Sequence, residues 1–234
     1  MSINDPTVVR TQYASELRLQ TRSAVWHGDS MGRHPQDVEA SVISAVSPTS
    51  ILEIGCGAGE FAARLQSERP AAALIATDQS PRMVELTRER GVEARVADAM
   101  ELPFDDGSFD VVVAMWMLYH VPDLEVALRE ARRVLRPGGR IVAVTNGDRH
   151  LAGLLQEAGG RPIVTQFSTE NGHTALSRHF DHVKQVDLAT RAVFADHGGA
   201  RAYLTTFDPG LAATLPPFDG EREYAGATTV FTAL

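Results

Sequence analysis

The sequence predicts an α/β fold, an open and mostly parallel sheet with helices on both faces. Three observations lead there. Apolar runs of strand length (Ile51 to Ile54, Ala73 to Thr77, Val92 to Ala97, Phe109 to Ala114, Arg140 to Thr145) alternate with segments of helical periodicity. The first run ends in Gly55-Cys56-Gly57-Ala58-Gly59 and passes at once into a helical pattern at Phe61, Ala62 and Leu65, which reads as strand, tight turn and helix start. The second and third runs each finish on an acid, Asp78 and Asp98. Polar residues at strand ends stand where open α/β sheets bind ligands.

The glycine turn is the organising feature. Without a Cβ the backbone can bend sharply and a ligand can sit against it, while free N–H groups at the helix start attract a carboxylate or phosphate. The turn is therefore a seat for part of an anionic or zwitterionic ligand. A dinucleotide fingerprint would require a third glycine at position 60, which is Glu60; the glycines stand at 55, 57 and 59. Glu53, at the end of the strand, offers a carboxylate to an ammonium group. Cys56, the single cysteine, occupies a position that wants a small residue and reads as a buried thiol.

Composition narrows the field. A chain of 234 residues carries one well-cored domain with a modest extension. We expect an N-terminal helical cover over residues 1–47 and a binding domain over 48–234. The formal charge of −8 and the absence of a cationic run argue against a nucleic-acid partner. No apolar stretch has the length of a membrane span and residues 1–10 lack the apolar core of a signal peptide, so a cytoplasmic location is expected, as monomer or homodimer.

In chain order, residues 8–28 carry Val9, Tyr13, Leu17, Ala24 and Val25 at helical spacing and end in Trp26-His27, predicting one or two amphipathic helices lying over the domain. Tyr13, Trp26 and His27 are candidate contacts to a shielded ligand. Residues 35–46 form a helix stopped by Pro48. Asp78 lies 23 residues after Gly55, close to the offset at which a carboxylate accepts both ribose hydroxyls, a reading preferred to that of a plain turn residue before the Ser80-Pro81 helix start because it comes jointly with the glycine turn. Asp98 is a second acid, of the kind that accepts an adenine amine; dinucleotide folds do not need it. The fourth strand leads into Met115-Trp116-Met117-Leu118-Tyr119-His120, a helix follows over Leu124 to Leu135, and Arg136-Pro137-Gly138-Gly139 is its exit turn.

Glu53-Ile54-Gly55-Cys56-Gly57-Ala58-Gly59, Asp78-Gln79-Ser80, Asp98-Ala99 with Leu102-Pro103-Phe104, and Leu135-Arg136-Pro137-Gly138-Gly139 together resemble the class I S-adenosylmethionine-dependent methyltransferases. The set is most similar to the small-molecule branch that includes the ubiquinone and menaquinone C-methyltransferases. The resemblance covers residues 51–145. It implies a Rossmann-like seven-stranded sheet in order 3-2-1-4-5-7-6 with the last strand antiparallel. It also implies S-adenosyl-L-methionine as cofactor, with S-adenosyl-L-homocysteine as product. Gly55, Gly57 and Gly59 would then pass beneath the methionine moiety, Glu53 would support its ammonium and Asp78 its ribose. Asp98, Ala99 and Gln79 would meet the adenine, Met115 would lie near the sulfonium, and Met83 completes the cofactor contacts.

Beyond Thr145 that likeness fades, and acceptor recognition is expected there. Residues 146–158 and 174–180 read as helices, Val183 to Leu188 as the sixth strand and Ala227 to Leu234 as the seventh. Residues 195–215 read as an insertion able to roof the pocket. Methyl transfer needs the nucleophile and methyl carbon held in line with water excluded, and aromatic faces can stabilise a cationic sulfur. Trp116, Tyr119, Tyr13 and Trp26 are the aromatic candidates. His120 is the candidate catalytic base, with His27, Asn146 and Glu170 as further acceptor contacts. The other histidines show no metal-ligand spacing. The expected activity is methyl transfer to a natural-product or metabolite acceptor. The alternatives are an RNA or protein methyltransferase, or a cofactor-binding protein without transfer activity.

Overall fold

The computed structural model describes residues 16–234, with side chains from residue 20 onward. Its centre is a seven-stranded sheet built from β2 (Ser50–Ile54), β3 (Ala73–Asp78), β4 (Glu93–Val96), β5 (Phe109–Met115), β6 (Leu135–Asn146), β7 (Lys184–Leu188) and β10 (Thr228–Ala233). The spatial order is β4-β3-β2-β5-β6-β10-β7, the expected 3-2-1-4-5-7-6. The first five strands pair in parallel, and β10 runs antiparallel to both β6 and β7.

Period-two alternation divides the core between the sheet's two faces. Ile51, Val111, Val113 and Met115 pack on one face against α2 (Pro35–Ser44), α3 (Glu60–Glu68) and α4 (Pro81–Glu89). Leu52, Ile54, Val112 and Ala114 pack on the other, against the stripe Leu124, Ala127, Leu128 and Ala131 of α5 (Leu124–Val134). Local chemistry sets the helix starts. The Asp123 carboxylate accepts the Val126 N–H at 3.1 Å, and Pro81 opens α4 behind the capping Ser80.

The exit of α5 differs from its prediction as a plain turn. Strand β6 already begins at Leu135, which pairs with Phe109; the register then shifts so that Val111 faces Arg140. Residues 136–139 are thus the irregular start of a strand, with Gly138 at φ +78°.

The larger departure lies around the N-terminal segment and the C-terminal third. Helix α1 (Glu16–Ser23) is followed by a two-residue strand, β1 (Trp26–His27), where helix was expected. It pairs antiparallel with β8 (Arg191–Phe194), which pairs with β9 (Arg222–Ala225), making a separate three-stranded sheet. Helices α6 (Ala152–Glu157), α8 (His197–Thr205) and α9 (Pro209–Thr214) complete this region, whereas α7 (Gly172–Leu176) packs Ala175 and Leu176 into the main-sheet core with Phe231. Leu154, Phe194, Tyr203, Leu204 and Tyr224 form a core of their own beneath the three-stranded sheet. Arg22 ties α1 to it by donating to Thr206 Oγ1 at 2.9 Å. Among the described residues no helix is long and apolar enough to cross a membrane.

Candidate active site

Strand order reverses between β2 and β5, whose ends are paired at Ile54 and Ala114. A crevice opens at such a reversal, and the glycine turn leaves from it. The Gly55 and Cys56 N–H groups both donate to the Thr77 carbonyl, at 2.7 and 2.9 Å, folding the turn toward β3. Gly59, at φ +78°, opens α3, and a Cβ there would lie 2.5 Å from Thr87 Oγ1. Glycine is required at that point on both counts. Cys56 is buried beside Thr87, and burial, with the Glu53 charge adding to it, raises its thiol far above the usual range. It is an inert packing thiol.

Three acids stand at successive strand ends, in different states. Glu53 is buried, its Oε2 has no hydrogen-bond partner among the described residues, and burial together with the Asp78 charge pushes its carboxyl up to about 8. A buried carboxyl without donors awaits a cation or a proton. Asp78 accepts the Gly57 N–H at 3.0 Å on one oxygen and the Ser80 N–H at 2.9 Å on the other. Burial still raises its carboxyl above the ordinary value, against the pull of those two donors. It is a turn residue, and each oxygen retains acceptor capacity for a hydroxyl. Asp98 is exposed and accepts the Met100 N–H at 2.8 Å.

Around these acids, Gln79 is exposed and Ala99 half-buried, against the core beside Phe104. Met83 is fully enclosed with Ala58 and Leu86, so it packs beneath the glycine turn. Met115 ends β5 almost buried. An unpartnered acid at one end of the crevice, a helix N-terminus free of side-chain caps, and a carboxylate held by the turn between them suit a zwitterionic amino acid joined to a ribose. The residues present fit S-adenosylmethionine.

Just beyond β5 lies a cavity of about 890 Å³ between the main sheet and the smaller one. Trp26, Trp116, Tyr119, His120 and Asn146 line it. Trp116, a non-glycine residue at φ +48°, donates its indole N–H to Asn146 Oδ1 at 2.9 Å. Tyr119 and His120 lie in a short 3₁₀ turn, with ring centroids 4.4 Å apart. His27 is exposed and does not line the cavity. Glu170 is exposed too, and its carboxylate accepts the Asp148 N–H at 3.0 Å. Tyr13 lies outside the described residues.

Two residues here escaped sequence reasoning. His150 lines the cavity, stacks on Trp26 at 4.4 Å, and burial holds its imidazole down near 4, neutral at ordinary pH. Glu39 of α2 is completely buried, and neither carboxylate oxygen has a partner among the described residues. An acid on the apolar stripe of a helix was the available signal for Glu39; for His150 there was none, because the β1 strand that brings Trp26 to it was read as helix.

Comparison with known proteins agrees with this geometry. Residues 52–143 match the family model for a methyltransferase domain. The 27-O-demethylrifamycin SV methyltransferase of Amycolatopsis mediterranei is 43% identical over 39% of this chain and 36% of its own. The methyltransferase GfsG of Streptomyces halstedii is 41% identical over 72% of this chain and 60% of its own. Residues 52–143 belong to the class I S-adenosylmethionine-dependent methyltransferases. That membership rests on the strand-to-helix core, and the chain spans between about a third and three fifths of the length of these two relatives. The fold of the chain is also that of the YcgJ protein from Bacillus subtilis, with a TM-score of 0.63 at 18% identity over 84% of this chain and 97% of that one.

Proposed function

We propose that the protein transfers a methyl group from S-adenosylmethionine to a small natural-product or metabolite acceptor bound in the cavity beyond Trp116. One observation carries this reading: β5 lies beside β2, the strand that holds the buried Glu53 and leads into the glycine turn, and runs straight into Trp116, which lines the cavity together with Tyr119 and His120. The relative named for 27-O-demethylrifamycin SV supports a small-molecule acceptor, and the net charge of −8 disfavours RNA.

When bound, S-adenosylmethionine supplies an electrophilic methyl group on a sulfonium. The chain's own residues then have three tasks. Glu53 and the helix N-terminus at Gly59 take the two charged ends of the amino acid, Asp78 the ribose hydroxyls, and Asp98 with Ala99 and Gln79 the adenine. Trp116 and Tyr119 line the acceptor side, where an aromatic face favours a cationic sulfur by about 0.5–2 kcal/mol. His120 receives the acceptor's proton on an imidazole nitrogen while the smaller sheet keeps water out.

The test is turnover of methyl-labelled S-adenosylmethionine against a metabolite extract, with bulk RNA and protein in parallel. Label appearing in a small molecule supports the proposal; label confined to RNA or protein overturns it.

A further inference from the structure

Helix α2 carries an acid on its buried side. Pro35, Glu39, Ala40 and Ile43 form the stripe that packs onto the sheet, and Glu39 is 0% exposed. Neither of its carboxylate oxygens has a hydrogen-bond partner among the described residues. The alternation along β2 points Glu53 to the same face as Ile51, toward this helix, and Glu53 Oε2 is equally buried and unpartnered. Two orphaned carboxyls are thus enclosed in one layer.

The charged surroundings are few. Glu53, from β2, pushes the Glu39 carboxyl further up after burial has raised it, and Asp78, from β3, does the same to Glu53. Arg64, from α3, pulls Glu39 down, but that guanidinium is engaged with Asp37 at 2.8 Å and Glu68 at 2.7 Å. The β6 and β10 residues in this layer, Val142, Val144 and Val230, carry no charge. Enclosed carboxyls without donors hold protons until a cation arrives. Glu53 alone would suffice for one ammonium, so a second acid beside it calls for a role.

We propose that Glu39 and Glu53 together seat the α-ammonium of S-adenosylmethionine and release a proton to solvent as it binds. In that step one carboxyl O–H breaks, its electron pair stays on the carboxylate, the proton passes to bulk water, and no covalent bond forms to the ligand. The inference rests on the donor reading above and adds Glu39, which that reading does not use.

The experiment is calorimetry with two ligands, S-adenosylhomocysteine and 5′-methylthioadenosine, which keeps the adenosyl thioether but lacks the amino acid. Each is titrated at neutral pH in two buffers of different ionisation enthalpy, which counts protons. The wild type should release about one proton with S-adenosylhomocysteine and none with methylthioadenosine. Glu39→Gln should bind S-adenosylhomocysteine about tenfold more weakly with less proton release, and methylthioadenosine as before. Proton-silent binding of S-adenosylhomocysteine by the wild type overturns the pair without needing any variant. Unchanged affinity in Glu39→Gln, or equal loss of both ligands, also overturns it by making Glu39 structural. Failure of the wild type to bind either ligand removes the donor reading itself.

Discussion

The Trp116 indole N–H donates to Asn146 Oδ1 at 2.9 Å, joining the tip of β5 to the tip of β6 at the cavity wall. Trp116 holds a left-handed backbone conformation to do so, at φ +48°. Strain of this kind persists only where the surroundings fix it. Asn146→Ala leaves the indole N–H unpaired in a partly buried site, at a cost of about 1–2 kcal/mol. The expected outcome is a lower melting temperature and a raised acceptor KM, with S-adenosylhomocysteine affinity unchanged. Calorimetry showing a large loss of cofactor affinity would place the pair in the donor site instead.

Gly59→Ala is expected to be among the most damaging changes at the turn. The new Cβ would meet Thr87 Oγ1 at 2.5 Å and Thr87 Cα at 2.8 Å, in a backbone at φ +78°. Thr87 cannot yield cheaply, because it is fully buried and donates to the Gly57 carbonyl at 3.1 Å. Strain and overpacking together predict a loss of about 2 kcal/mol or more in denaturant unfolding. A wild-type midpoint would contradict the tight approach of α4 to the turn.

The ligand-free protein should become less stable as pH rises from 5 toward 8. Glu53 has its folded value raised, from 4.5 to about 8, chiefly by burial. A carboxyl raised on folding contributes stability that is complete below its unfolded value and is lost as pH climbs through the folded one. The slope contributed by one such group is at most about 1.4 kcal/mol per pH unit. Glu39 is shifted in the same direction, so Glu53→Gln should flatten the profile in part. Thermal melts across this range test it, and a steeper profile in the variant would refute the assignment.

His120→Ala should lower turnover much more than it lowers S-adenosylhomocysteine affinity. His120 is 9% exposed at the cavity wall, on the short 3₁₀ turn that follows Met117. The pH–rate profile separates a proton acceptor from a packing residue: the acidic limb should vanish in the variant. Equal kinetics, or a scaled-down profile of unchanged shape, would make the residue structural.

The main sheet was legible because its strands are apolar on both faces and its turns carry the glycine and proline chemistry that punctuates them. The run Phe109 to Ala114 could hardly be anything but a central strand. The smaller sheet was not legible. Its strands are two to four residues long, and Trp26 follows a helical pattern so closely that periodicity absorbs it. What makes Trp26-His27 a strand is its antiparallel pairing with Ala192 and Arg191, far away in sequence. In the candidate site, acids at strand ends could be read one by one. Their different states could not, because the isolation of Glu53 and the turn bonds of Asp78 depend on what encloses each. Glu39 shows the same limit: a polar residue in an apolar stripe signals a departure from packing, but its neighbour comes from another element.

Titration calorimetry of the wild type and Asp78→Ala with S-adenosylhomocysteine goes to the centre of the matter. Asp78 ends β3, the strand between β2 with Glu53 and β4 with Asp98 just past its end, and accepts the Gly57 N–H at 3.0 Å, so its loss should weaken a one-to-one complex by about tenfold, or ~1.4 kcal/mol. A wild type that takes up no ligand, or an Asp78→Ala variant that binds as tightly as the wild type, would contradict the claim that these strand tips grip the methyl donor.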